Sequence, residues 1–203
     1  MNSRRRVNST VMSLQTESHK EQFLSDVIFG ITLAGTSQRG NLYRREATTD
    51  ERNQFRLALR RWLENVSEQY RAPVTDDHHV ANIDDLAKTL SKQQARALSG
   101  SRFRIGSAQK ALNLYLKMLW CLDRIPTPPP HCPFDRIVLS HVPGCEGINW
   151  TQLDSLPDYE HIVRCARSAA NGVPLAEWEL HLYTAALSAT RAASLGATSL
   201  GAT

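Results

Sequence analysis

The sequence predicts an all-α domain. Three observations carry that expectation. Apolar residues return every three or four positions in several segments, Pro and Gly close those segments, and only Arg136-Ile137-Val138-Leu139 competes as extended chain. Residues 1–18, polar and rich in Ser, Asn and Thr, read as a flexible N-terminal arm. Phe23 to Leu33 is apolar enough for a short buried helix, and Gly35-Thr36-Ser37-Gln38-Arg39-Gly40-Asn41 reads as a loop. Thr49-Asp50 marks the start of a helix toward Tyr70, with Phe55, Leu59, Trp62, Leu63 and Val66 at helical spacing and Ala72-Pro73 as its stop. Asp76-Asp77-His78-His79 is expected in a loop, ahead of a helix from Asn82 to Ala97.

After the turn Ser99-Gly100-Ser101 comes the strongest helical signal, 105–122. Ile105, Ala108, Leu112, Tyr115, Leu116, Leu119 and Leu122 form an apolar stripe, while Lys110, Asn113 and Lys117 share a polar face. Four prolines between 126 and 130 break this helix. Asp135 stands where it caps a short helix or ends an extended entry segment. Asn149-Trp150-Thr151 opens the next element, Tyr159 to Ala170 is helical, Asn171-Gly172 stops it, and Pro174 starts a last helix through Trp178, Leu182 and Tyr183. The tail repeats Ser-Leu-Gly-Ala-Thr at 194–198 and 199–203, a low-complexity pattern. The expected organisation is an arm at 1–18, one helical domain over 19–190 with a central helix 105–122 and a Pro-rich loop 126–133, and a tail at 191–203.

With 203 residues, 41% of them hydrophobic and 22% charged, the chain has the composition of a soluble globular protein with a real core, expected as a monomer. No apolar run reaches membrane-spanning length and no secretory leader is visible, so no membrane partner and a cytoplasmic location are expected. Cys121, Cys132, Cys145 and Cys165 form no CxxC pair and read as reduced thiols. The net charge of +4 says little, but its distribution says more. From Leu86 to Leu122 there is no Asp or Glu, and the stretch carries Lys88, Lys92, Arg96, Arg102, Arg104, Lys110 and Lys117. Such a field suits a phosphate backbone. The competing reading is a basic face neutralised by acids elsewhere in the fold.

A lysine early in the central helix and an aspartate beyond the proline loop can meet if that loop folds back. A lysine that sheds its proton among cationic neighbours becomes an amine nucleophile, and a carboxylate steadies positive charge at a sugar carbon or activates water. Those are the parts needed to cleave an N-glycosidic bond on a flipped nucleotide. Gly106 and Ser107, in the first helical turn, offer backbone N–H groups to a phosphate.

At Ile105-Gly106-Ser107-Ala108-Gln109-Lys110 and Cys132-Pro133-Phe134-Asp135 the sequence resembles the helix-hairpin-helix DNA glycosylases, and Lys110 to Met118 is similar to the Lys-containing helix of their archaeal 8-oxoguanine branch. The resemblance is confined to residues 99–135. The family's Leu-Pro-Gly-Val-Gly hairpin is replaced by Ser99 to Gly106, and the span from Lys110 to Asp135 is longer than usual. The resemblance implies that Lys110 is the Schiff-base nucleophile and Asp135 the catalytic carboxylate. The expected function is excision of a modified base from duplex DNA, either an oxidised purine or a phage hypermodified cytosine, in repair or anti-phage defence. No metal or organic cofactor is implied. A non-catalytic DNA- or RNA-binding module is the alternative. Arg102, Arg104, Ser107 and Lys117 are the expected DNA contacts, with Gln38, Trp150 and Trp178 as candidates for the base pocket. His131, Cys132, His141 and Cys145, with His161 or Cys165 as an outsider, form a weaker zinc candidate, because adjacent ligands fit a tetrahedral site poorly.

Overall fold

In a computed structural model, residues 2–37, 42–185 and 188 are described, with side chains from residue 15 onward. Seven helices are traced: α1 (Asn2–Ser37), α2 (Thr49–Ser67), α3 (Asp76–Gln94), α4 (Ile105–Cys121), the single turn α5 (Arg136–Leu139), α6 (Leu156–Ala170) and α7 over 175–185. Short 3-10 turns lie at Glu68–Arg71, Ser99–Ser101 and Trp150–Gln152. No strand occurs among the described residues, and one isolated bridge joins Tyr43 to Leu98. The chain is all-α, as its periodicity predicts.

The helix ends follow local chemistry. Thr48 caps α2 in a reciprocal box: its hydroxyl accepts from the Glu51 N–H, and the Glu51 carboxylate accepts from the Thr48 N–H. Thr75 caps α3 by accepting from the His78 N–H. That cap corrects the expected loop at Asp76-Asp77-His78-His79. The two aspartates occupy the first turn of α3, where the helix dipole favours them, and His79 turns into the core. α6 ends on Asn171 in the left-handed region (φ 48°), followed by Gly172 (φ 89°).

α4 lies at the centre, packed by α1, α2, α3 and α6. Its buried residues run all round the helix, including Gln109, Lys110, Asn113 and Lys117. The face expected to be wet is therefore enclosed. Several elements enclose it: Asn113 meets His79 of α3, Lys117 meets Glu179 of α7, Lys110 meets Asp135 of the returning chain, and α1, a single helix from Asn2 where an arm is expected over 1–18, packs against α4 beside Leu114 and Lys110. Within α1, Ile28, Thr32 and Thr36 face inward, while Phe23 (67% exposed), Val27 and Ile31 face out, so the expected buried helix at Phe23 to Leu33 buries only one side. Gly35 permits the close approach: a Cβ there would come within 2.6 Å of Leu114 and 4.0 Å of the Lys110 stem.

Gly106 has the same role at the other end of α4. Its N–H donates to Leu153 O (2.8 Å), and a Cβ would fall 1.8 Å from the Trp150 carbonyl oxygen. Both neighbours are backbone of the segment around the Trp150–Gln152 turn, which cannot swing aside as a side chain does. Gly106→Ala is expected to destabilise the fold by at least about 1–3 kcal/mol, through overpacking against fixed backbone. Urea denaturation of the two proteins checks this, and an unchanged midpoint refutes the close approach.

Candidate functional site: a buried polar spine along the central helix

Lys110 is 7% exposed, and its Nζ lies 2.8 Å from Asp135 Oδ2. Asp135 keeps 30% of its side chain accessible, so the pair reaches solvent on the carboxylate side. The other oxygen, Oδ1, accepts from the N–H groups of Ile137 (2.9 Å) and Val138 (3.1 Å), capping α5. Burial alone would raise the Asp135 carboxyl, but the charge and hydrogen bond of Lys110, together with the two backbone donors, outweigh it and hold the group below the usual carboxylate range. Asp135 is thus ionised at neutral pH.

Gln109, next to Lys110, explains why the distant aspartate arrives there. Its Nε2 donates to Phe134 O (2.8 Å) and its Oε1 accepts from Phe134 N–H (3.2 Å). One side-chain amide thereby pairs both backbone groups of the residue before Asp135, fixing the returning chain in register with α4. Asn113, one turn on, donates to Cys132 O (2.9 Å) and accepts on Oδ1 from His79 Nε2 (2.7 Å). His79 then uses Nδ1 to accept from the Tyr70 hydroxyl (2.7 Å), and that oxygen accepts from Asn82 Nδ2 (3.1 Å). The donors and acceptors form one consistent chain when His79 is neutral. Burial lowers His79 from 6.5 to about 3, the adjacent His131 adding to the effect. His131 is also lowered, first by burial; its Nδ1 meets the Tyr159 hydroxyl (2.7 Å), and its Nε2 lies 3.8 Å from Asp76, too far for a hydrogen bond.

The remaining expected site residues are placed as follows. Lys117 is 7% exposed and pairs with Glu179 of α7 at 2.5 Å, with its ammonium over the Tyr183 ring. Arg102 pairs with Asp154 (2.8 Å), and Arg104 donates to Thr151 O and Gln152 Oε1. Lys88 pairs with Asp84 (2.5 Å). Of the seven cations from Leu86 to Leu122, Lys88, Arg102, Lys110 and Lys117 thus meet acids that sit outside the stretch, which neutralises the expected field in part. The Gly106 N–H, expected free for a phosphate, is occupied by Leu153 O, and Ser107 is half-buried. Trp150 is 4% exposed and belongs to the core; Trp178 is partly buried against it. Gln38 lies outside the described residues, as does the tail at 191–203. Of the expected zinc candidates, His131 and Cys132 are buried, His141 lies at the surface with Nδ1 2.8 Å from Ile137 O, and Cys145 instead meets His161 and Cys165.

Gln109 and His79 are given no functional role in the sequence reading, Asn113 appears there only on the polar face of the central helix, and His131 only as a zinc candidate. Polar identity is the only signal for Gln109 and Asn113, in a helical segment, and for His79, in a segment expected as a loop; in each case it reads equally as surface. Among the described residues no helix is long and apolar enough to cross a membrane. Compared with protein-family models, curated proteins and solved structures, the chain matches none.

Two outcomes follow. Gln109→Leu leaves the buried Phe134 N–H and C=O unpaired and is expected to cost about 1–3 kcal/mol for each group, read from urea unfolding; a cost near zero would mean that the amide does not hold the returning chain. The second concerns pH. The unfolded chain protonates its His79 below 6.5, whereas the folded protein refuses that proton until about 3, so stability falls as pH drops through this window. Asp135, lowered in the folded state, adds its own loss only below its unfolded value of 3.8. Unfolding midpoints measured from pH 8 to 3 test the first stage, and His79→Gln is expected to make it shallower, with the remaining slope due to His131, which burial also lowers.

Proposed function

We propose that this chain is a DNA N-glycosylase of the helix-hairpin-helix kind, with Lys110 and Asp135 at its reacting centre. The observation that supports this reading is the 2.8 Å approach of the two groups across 25 residues of sequence, at the boundary between core and solvent. Lys110 is held by packing and Asp135 by the α5 backbone, so both groups are pre-positioned. In the reaction, the Lys110 lone pair attacks C1′ of an extruded nucleotide after its proton passes to water, so that Asp135 stays ionised. The C1′–N bond breaks, its electrons leave with the base, and the base takes up a proton. The ionised Asp135 carboxylate steadies the positive charge that develops on the sugar. If Lys110 stays protonated, the same carboxylate activates a water instead and the lysine orients it.

This reading moves the DNA contacts. Arg102 and Lys117 are ion-paired within the fold and Arg104 is hydrogen-bonded there, whereas Arg136 is exposed directly beside Asp135. Arg136 is the proposed phosphate ligand nearest the centre. The substrate class is a modified base, an oxidised purine or a hypermodified cytosine.

The test is incubation of the purified chain with unmodified, oxidised and phage-modified duplexes, with mass spectrometry of released bases and borohydride trapping. Release of a base with a trapped adduct that disappears in Lys110→Met supports the nucleophile. Release without trapping, abolished in Asp135→Asn, assigns the attack to water. No release on any duplex together with salt-sensitive DNA binding would leave a binding module, and neither release nor binding would overturn the proposal altogether.

A further inference from the structure

Cys145, His161 and Cys165 bring their ligand atoms within 4.8 Å of one another, and no step of the proposed reaction uses them. The three arrive by different routes. His161 and Cys165 are four residues apart on α6, hence on one face of the helix. Cys145 is delivered by the 142–148 loop, which winds closely around it: the Cys145 N–H donates to Val142 O (2.9 Å), the Ile148 N–H donates to Cys145 O (3.0 Å), and Gly144 supplies a positive φ of 84°. The fold thus presents a thiol from a tight loop to a His-x-x-x-Cys pair.

We propose that these three side chains form a transition-metal site, with zinc as the fitting ion. Two thiolates and an imidazole are the donor set zinc prefers. The geometry agrees. Zinc–sulfur and zinc–nitrogen bonds of about 2.3 and 2.05 Å at a tetrahedral angle put S and N about 3.6 Å apart, and His161 Nε2 lies 3.7 Å from Cys165 Sγ. Small movements of side chains would gather the three atoms around one ion. Cys145 is buried, Cys165 is half-buried and His161 is exposed, so the site is fixed on one side and open to entry on the other. Three protein ligands leave the fourth position to water or an outside ligand. Binding releases the two thiol protons and forms two Zn–S bonds and one Zn–N bond, with no redox change. Without a cation, burial and the neighbouring Cys165 sulfur push the Cys145 thiol up to about 11. The ion would clamp the loop following α5 to α6, bracing the segment that leads to Trp150 and its contact with Gly106.

The experiment is titration of the reduced, metal-free full-length chain with Co²⁺, then Zn²⁺, following thiolate-to-cobalt absorption, with metal content by mass spectrometry. One ion per chain is expected, with a tetrahedral cobalt spectrum displaced by zinc. Cys165→Ser and the surface change His161→Gln are each expected to weaken binding by more than about tenfold, while Cys121→Ser, outside the cluster, leaves it unchanged. Circular dichroism confirms that each variant is folded. Absence of a thiolate band, or a band that survives in Cys165→Ser, overturns the proposal. So does recovery of the chain two hydrogens lighter through a Cys145–Cys165 disulfide, with no metal taken up after reduction; the cluster would then be a redox pair.

Discussion

The structure depends on one requirement: a helix buried on all sides carries two lysines, a glutamine and an asparagine, and none can be left without a partner. An unpaired ammonium in the interior costs several kcal/mol, and an unpaired amide group costs about 1–3. The partners come from three parts of the chain: α3, α7 and the segment that returns to α5. Asp135 arrives with the chain that returns from the proline loop, Glu179 with α7, His79 with α3, and the backbone of Cys132 and Phe134 with the segment between α4 and α5. Satisfying α4 therefore fixes where the rest of the chain must sit. The apolar stripe alone would allow neighbouring helices to slide; the polar contacts permit one register.

Lys110 and Lys117 lie seven residues apart, two turns along one face, yet their environments differ. The Lys117–Glu179 pair is closed on both sides and acts as a buried clamp between α4 and α7. The Lys110–Asp135 pair is open through its carboxylate, and that carboxylate also caps a helix. Similar chemistry is thus structural at one position and accessible at the other, and the difference lies in which element covers the acid.

The sequence makes the helices legible where local chemistry decides. The 105–122 periodicity, the candidate cap at Asp135 and the stop at Asn171-Gly172 all appear in the fold, whereas the central helix ends at Cys121, on a turn with Asp123 at positive φ, ahead of the prolines expected to break it. It misleads where a distant element decides. A helix with apolar residues on one face and Lys110, Asn113 and Lys117 on another reads as half wet, and nothing local reveals that α3, α7 and the chain returning to α5 cover that face. Counter-charges are invisible for the same reason, since Asp135, Asp154 and Glu179 lie 25 to 62 residues beyond the cations they meet. His79 was misplaced because Thr75, an ordinary cap, lies just outside the segment that carries the apolar pattern. The Lys–Asp pair was legible as residue types, but the glutamine that brings it together was not.

The pairing has a direction along the chain. Arg102, Lys110 and Lys117 are all synthesised before the acids that neutralise them, the last of which is residue 179. Chains are made from the N-terminus at about 5–20 residues per second. For several seconds the emerging polypeptide therefore holds a cationic, acid-free segment whose apolar stripe has no complete set of partners. Folding of the central helix into the core waits on translation of the C-terminal third.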